Sequence, residues 1–462
     1  MLKSLKIREK HTICLDYFVL LKPKATNYNS NDMRTLIKMV LCTMVLLQVT
    51  ACKKELYDKG QYQRYLKYMS PVDSVDQRHD WKLTAKKQYN FKADTGEGIK
   101  KAMVLDGNPF NNRNVNIMNQ TTISDGGSAS FAISVPLSTT TLYAALVDAN
   151  GLFYVTSFPV SQEEPVSFQG ATAAVPANLS LAPQTYTYCY EKDLPLVDDY
   201  DYNDLVIRLG IEKDLDNPCQ VTLQLTLSAV GCTNQIAAFV RLCSYDNHDV
   251  ENIATDDGKT LSDNLPAGSK NLTDKTSTFQ WGRGSDAVIC LFADAHWAMN
   301  NNQETSANAG AITRKNYNVL GDISYDQLDL YETMVYRKQS YVITFANADI
   351  AKNFTLEDID PFIVTLYNSA RFETHLDCYK NSEVLYEYQL EQDIKDLPWA
   401  LIIPSESFQY PLEGQQMGFR KYTSTGVAYN DGAYPDFGEW VENYKACLDW
   451  YKRPNEQKVW GF

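Results

Sequence analysis

The chain has 462 residues, 44% of them hydrophobic, enough for two or three domains with cores of their own. The formal charge is −14, and residues 1–51 hold eight Lys/Arg against three Asp/Glu, so the body beyond them is near −19. Such a body repels nucleic acid and anionic lipid and favours cations, and no basic stripe with interleaved aromatics offsets it. The 30 Tyr, against 18 Phe and 7 Trp, suit half-buried sheet faces, where one end of the ring is apolar and the other hydrogen-bonds.

The first element is a leader. Residues 39–49, MVLCTMVLLQV, form an apolar run too short for a membrane helix but right for a signal peptide, with Arg34 and Lys38 as its positive flank. Met33 reads as the true start, which makes 33–51 the signal peptide within a leader of 1–51. The run ends VTAC, which resembles the lipobox of bacterial lipoproteins. That resemblance implies cleavage before Cys52 and acylation of its sulfur, and several acyl chains on one residue hold a protein stably on a membrane. Residues 52–80 then form a polar, lipidated tether. Glu55, behind two lysines, is a weak acidic export signal, and the expected location is the outer membrane, facing the surface rather than the periplasm.

Short strands with turn signals follow from Trp81: SASFAISVPL, TLYAALVDANG and LFYVTSFPV among them. They predict a small β-sandwich over 81–160. Residues 161–184, rich in Ala, Pro and Ser, read as a linker. A larger β domain is expected over 185–462, in which VTLQLTLSAV alternates as a sheet with one wet face should. Its insert NIATDDGKTLSDNLPAGSKNLTDKTS reads as a long polar loop, and YPDFGEWVENYKACLDWYKRP as a short helix packing aromatics back on the sheet. The fold class is therefore mainly β, two β-sandwich-like domains with a short C-terminal helical segment. Seven Cys remain beyond Cys52; their odd number and apolar contexts favour buried thiols over a disulfide framework.

The segments DYDYNDLVI, RFETHLDCYKNS, LPWALIIPSESFQYPLEG, AYPDFGEWV and DWY occur in that order. With them the chain resembles the LruC-domain lipoproteins of Bacteroidota, over roughly 186–452 and more weakly from 81. The resemblance implies an envelope location and a domain architecture, without an established activity. The chain departs from the family pattern at VGCTNQIAAF and at Asp377.

The candidate site is the stretch LVDDYDYNDLVI. Asp198, Asp199, Asp201, Asn203 and Asp204 crowd against a strand-like run, and Glu191 and Asp193 stand just upstream. Asp199-x-Asp201-x-Asn203 has the oxygen spacing that opens a calcium loop, yet Asp204 and Gly210 stand where an EF-hand needs Gly and Glu. Calcium gathered from several loops and an Asx-rich capped turn remain equal readings; catalysis is a distant third. The resemblance favours a cation, since its D-x-D-x-N-D-L core has the same chemistry. Glu373 and His375, two apart on a strand, share a face and form either a further ligand or base pair or a structural polar pair. Trp399, Trp440 and Trp450 suit core packing better than a sugar platform. Neither H-E-x-x-H, G-x-S-x-G nor a P-loop occurs.

The expectation is thus a non-enzymatic, membrane-anchored binding or envelope-structural module with a structural Ca²⁺ site and a glycan or protein ligand. The alternatives are a glycan-processing hydrolase using paired carboxylates and a surface-fibre subunit.

Overall fold

The computed structural model describes residues 74–96, 98–191, 199–255, 279–281, 286–300, 314–321, 331–332, 335–367, 370–379, 388–389, 397–422, 425 and 427–461. The leader, most of the tether with Cys52, Asp193, Asp198 and most of the polar insert lie outside them. The described residues are mainly β, with three short helices, and no helix among them is long and apolar enough to cross a membrane.

The small sandwich is built from β1 (Thr84–Lys92), β2 (Ile99–Leu105), β3 (Asn114–Thr122), β4 (Ser128–Pro136), β5 (Thr141–Asp148) and β6 (Phe153–Pro159). Three short strands complete it: β7 (Val166–Ser167), β8 (Thr172–Ala174) and β9 (Ser180–Pro183). One sheet runs β4-β1-β7 and the other β8-β6-β5-β2-β3-β9. Alternation along β1 sends Tyr89 and Phe91 inward, and the Phe91 ring lies 4.6 Å from Phe131 and 5.8 Å from Phe158 at the centre of the core.

Two boundaries expected from the sequence move. The stretch 161–184 is not a linker: β7 runs parallel to β1, β8 antiparallel to β6, and β9 parallel to β3, so it closes the edges of both sheets. Pairings of two to four residues leave no alternation to read, and edge strands tolerate the Pro and Ala that suggested a linker. At the other end, Trp81 and Leu83 do not belong to the small sandwich. They are buried in the C-terminal layer of the larger unit.

That unit packs two six-stranded sheets. The first has the order β14-β19-β12-β11-β10-β23, from β10 (Thr185–Tyr190), β11 (Leu205–Lys213), β12 (Gln220–Ala229), β14 (Val250–Thr255), β19 (Arg337–Phe345) and β23 (Ala400–Ile403). The second has the order β15-β16-β13-β20-β21-β22, from β13 (Ala237–Leu242), β15 (Phe279–Trp281), β16 (Ala287–Phe292), β20 (Ile359–Tyr367), β21 (Ala370–Thr374) and β22 (Tyr388–Gln389). Tyr186, Tyr188 and Tyr190 of β10 meet Val240, Ile289 and Ile363 between the sheets. β12 alternates half-buried and buried residues as its pattern predicts, whereas β11 is buried on both faces from Leu205 to Gly210.

The outer face of β10, β11 and β23 is covered by the C-terminal segment. Helix α3 (Phe437–Glu442) and the following 3₁₀ turn bring Trp440 and Trp450 onto Cys189, Val206, Leu401 and Ile403, both indoles fully buried. These two tryptophans are core residues; Trp399 is half-buried. Two more short helices, α1 (Ala295–Met299) and α2 (Ala348–Asn353), and the strand pairs β17 (Asn316–Tyr317) with β18 (Tyr331–Glu332) and β24 (Phe419–Tyr422) with β25 (Ala428–Asp431) complete the described elements. Of the seven cysteines beyond Cys52, Cys189, Cys232 and Cys290 are buried and Cys378 is exposed.

Candidate functional site: a carboxylate cluster at the β10–β11 connection

β10 and β11 pair antiparallel with Tyr190 opposite Leu205, so Glu191 and Asp204 leave the ladder side by side. The chain returning to β11 bends sharply: Tyr200 has φ +56° and Tyr202 φ +53°, a left-handed conformation that a bulky residue adopts only where its surroundings hold it. Both tyrosines sink into the layer of Trp440 and Phe437, and the Tyr202 hydroxyl donates to Pro398 O at 3.0 Å. Glu191, Asp199 and Asp201 each place a carboxylate oxygen within 4.8 Å of the others.

Glu191 and Asp201 are positioned by backbone. The Tyr202 N–H donates to Glu191 Oε2 at 2.9 Å, and the Glu191 N–H to Trp399 O at 2.9 Å. Asp201 accepts from the Asn203 N–H at 3.2 Å and from the Gly414 N–H at 2.8 Å. Gly414 has φ +71°, which suits glycine, so the turn Leu412–Gln415 is shaped to aim its amide at Asp201. Asp201 is 2% exposed. Burial drives its carboxyl well above the usual carboxylate range, and the nearby Asp199, Glu413 and Asp204 push it further; the Gly414 hydrogen bond opposes them.

Of the residues expected at this site, Asp199 and Asp201 join the cluster with Glu191, and Asp204 stands close enough to raise Asp201 electrostatically. Asn203 serves as a strut: its amide donates to Pro411 O at 3.1 Å, and its Oδ1 rests against Gly231. Asp198 lies outside the described residues. Glu413, more than 200 positions away, enters the cluster from the YPLEG turn; nothing local to that turn marks it as part of an acidic site.

Glu373 and His375 form a different centre. His375 Nε2 lies 3.0 Å from Glu373 Oε2 and Nδ1 lies 2.8 Å from Asp360 Oδ2, with the ring stacked on Phe362 at 4.6 Å. Asp360 also bonds Arg241 at 3.2 Å. Glu373 and Asp360 are 0% exposed and His375 5%. The arrangement is a sealed polar pair with a second carboxylate, set in the sheet that does not carry the acidic cluster.

No curated protein matches the chain. Among solved structures, one from Bacteroides ovatus, described provisionally as a lipoprotein, is 16% identical, with a TM-score of 0.40 over 70% of this chain and 91% of that one. The full-length major pilin SpaD from Corynebacterium diphtheriae is 8% identical, with a TM-score of 0.12 over 63% of this chain and 65% of the pilin. The family model described as "Domain of unknown function (DUF4842)" matches residues 217–451, from the start of the β12 region to the C-terminal aromatic layer. That match takes in Glu413, Gly414, the Glu373–His375–Asp360 centre and just over half of the chain, and the chain belongs to the DUF4842 family.

Proposed function

We propose that the chain is a lipid-anchored, non-enzymatic module of the outer membrane, of the LruC-like lipoprotein kind, whose larger unit is locked by a Ca²⁺ ion held by Glu191, Asp199 and Asp201. One observation carries the calcium reading: three carboxylates from two sides of a strand connection converge within 4.8 Å, backed by Asp204 and Glu413. Such a group stays ionised only where a cation or several N–H donors offset the mutual repulsion, and a cation offsets it for all three at once. The donors are all hard oxygens on irregular backbone, which suits the larger and more adaptable Ca²⁺ better than the octahedral Mg²⁺. The non-enzymatic reading draws on the burial of Glu373 and His375, an acid–base pair shielded from solvent. The anchor rests on the lipobox at Cys52, and the surface location on Glu55.

Thermal unfolding tests the calcium site. An ion that binds only the folded state adds about 2.7 kcal/mol at 100-fold over Kd, which for a protein of this size raises the Tm by about 5–10 °C. EDTA should remove that gain and Ca²⁺ restore it, with Mg²⁺ less effective. Asp201→Asn should melt alike with and without chelator. Wild-type protein shown by metal analysis to be ion-free, yet melting the same in Ca²⁺ as in EDTA, reduces the stretch to a capped turn, where losing one cap costs about 1 kcal/mol.

A further inference from the structure

A cleft of about 710 Å³ opens where the small sandwich meets the larger unit, within the roughly 300–1,000 Å³ of small-molecule sites. Its walls come from both sides of that junction: Asp106, β3 and the β4–β5 connection of the small sandwich, and the start of β10, Arg208 of β11, the loop 404–407 after β23 and Tyr451–Lys452 of the larger unit. We propose that this cleft binds a neutral oligosaccharide.

The first argument is its charge balance. Asp106 and Glu406 stand against Arg208 and Lys452, so the lining carries as much positive as negative charge. A phosphate, a uronate or a cation would meet a like charge beside each opposite one, whereas an uncharged polyol is repelled by neither. The second is the density of neutral hydrogen-bonding groups. The amides of Asn114, Asn116 and Gln184 and the hydroxyls of Thr185, Ser405 and Ser407 offer donors and acceptors side by side. Adjacent sugar hydroxyls need that mixture, because each both donates and accepts. The guanidinium of Arg208, 7% exposed at the base of the cleft, is a planar fork that can span two neighbouring hydroxyls. The third is the apolar remainder. Half-buried Pro136 offers a small surface for the C–H face of a sugar ring, backed by Met118, Leu142 and Tyr451, which are buried.

The cleft is also built in advance. Thr187 Oγ1 donates to Ser405 O at 2.7 Å, which fixes the loop after β23. The Asn116 N–H and side-chain amide donate to the two Asp106 oxygens, each at 2.8 Å, which locks the wall at β3. The Tyr451 hydroxyl lies 3.4 Å from Ser138 Oγ, tying the C-terminal wall to the small sandwich. A ligand therefore meets side chains already ordered, and binding is spared their immobilisation cost.

Titration calorimetry of the full chain, with Ca²⁺ present throughout so that the metal site does not enter, tests the proposal. The probes are cello-, xylo-, manno- and chito-oligosaccharides, maltotriose, trigalacturonate and inorganic phosphate. At least one neutral oligosaccharide should bind with a Kd at or below about 1 mM. Ser407→Trp puts an indole on an exposed residue at the mouth and should abolish the heat without changing the Tm. Asn114→Ala, at the exposed start of β3, should weaken binding about fivefold, the loss of one neutral hydrogen bond. No heat from any neutral sugar, binding confined to trigalacturonate or phosphate, or neutral-sugar binding unaffected by both variants would each overturn it.

Discussion

His375 shows how a single side chain sets a pH dependence. Burial pushes its imidazole down, but Asp360 and Glu373 on either side more than offset that and raise it to about 9. The folded protein therefore keeps a proton that the unfolded chain releases near pH 6.5. The stabilisation is complete below that value and is lost as pH rises to about 9, amounting to at most about 3 kcal/mol. The Tm should fall between pH 7 and 9.5, and His375→Gln should flatten that fall while lowering stability at neutral pH. An equal alkaline decline in the variant would place the titrating group elsewhere. Asp201 is shifted in the same direction, but there burial holds the carboxyl neutral, so without a cation the folded state loses stability as pH rises above about 4, the ordinary aspartate value. The pairing of Glu373 with His375 was legible in the sequence, because residues two apart on a strand share a face. Asp360 was not, since it arrives from the neighbouring strand β20 through antiparallel register.

At the scale of elements, the acidic cluster depends on how closely β12 exits against the β10–β11 connection. A Cβ on Gly231, just past β12, would lie 2.0 Å from Asn203 Oδ1 and 2.7 Å from the Asn203 carbonyl oxygen. Gly231→Ala must therefore displace the backbone that carries Asp201 and Asp204, at a cost of about 1–3 kcal/mol. The variant should also show a smaller Ca²⁺-dependent rise in Tm than the wild type; an unchanged rise would mean the cluster tolerates the shift. The long strands were legible from alternation, as in β12, or from short apolar runs, as Leu205–Ile207 opening β11. The edge strands β7 to β9 escaped because pairings of two to four residues impose no period. Glu413 escaped for another reason: only the packing of the turn at Gly414 against Asp201 brings it near, and no local pattern encodes a contact across more than 200 residues.

At the scale of the molecule, the small sandwich is an insertion with both ends rooted in the larger unit. Leu83, just before β1, and Tyr186, just after β9, are both buried in that unit's cores. Polar contacts bind the flank: Lys86 to Asp358 at 2.6 Å, and Ser134 to Glu357 at 2.6 Å. The anchoring proposal makes its own prediction at this scale. Cys52→Ser should move the whole protein from the membrane fraction to the soluble fraction after a salt wash, and retention of the variant in the membrane would refute lipidation. Residues 74–83 are also held against the C-terminal layer. The Asp76 N–H donates to Val441 O, His79 stacks on Trp81 at 3.9 Å and meets Trp440 O at 3.1 Å, and Trp81 lies edge-on to Trp440 at 5.5 Å. A pull transmitted from a lipid-held N-terminus would reach these aromatic contacts before it reached β1. The larger unit would bear the load, and the small sandwich, with its cleft, would be shielded from tension.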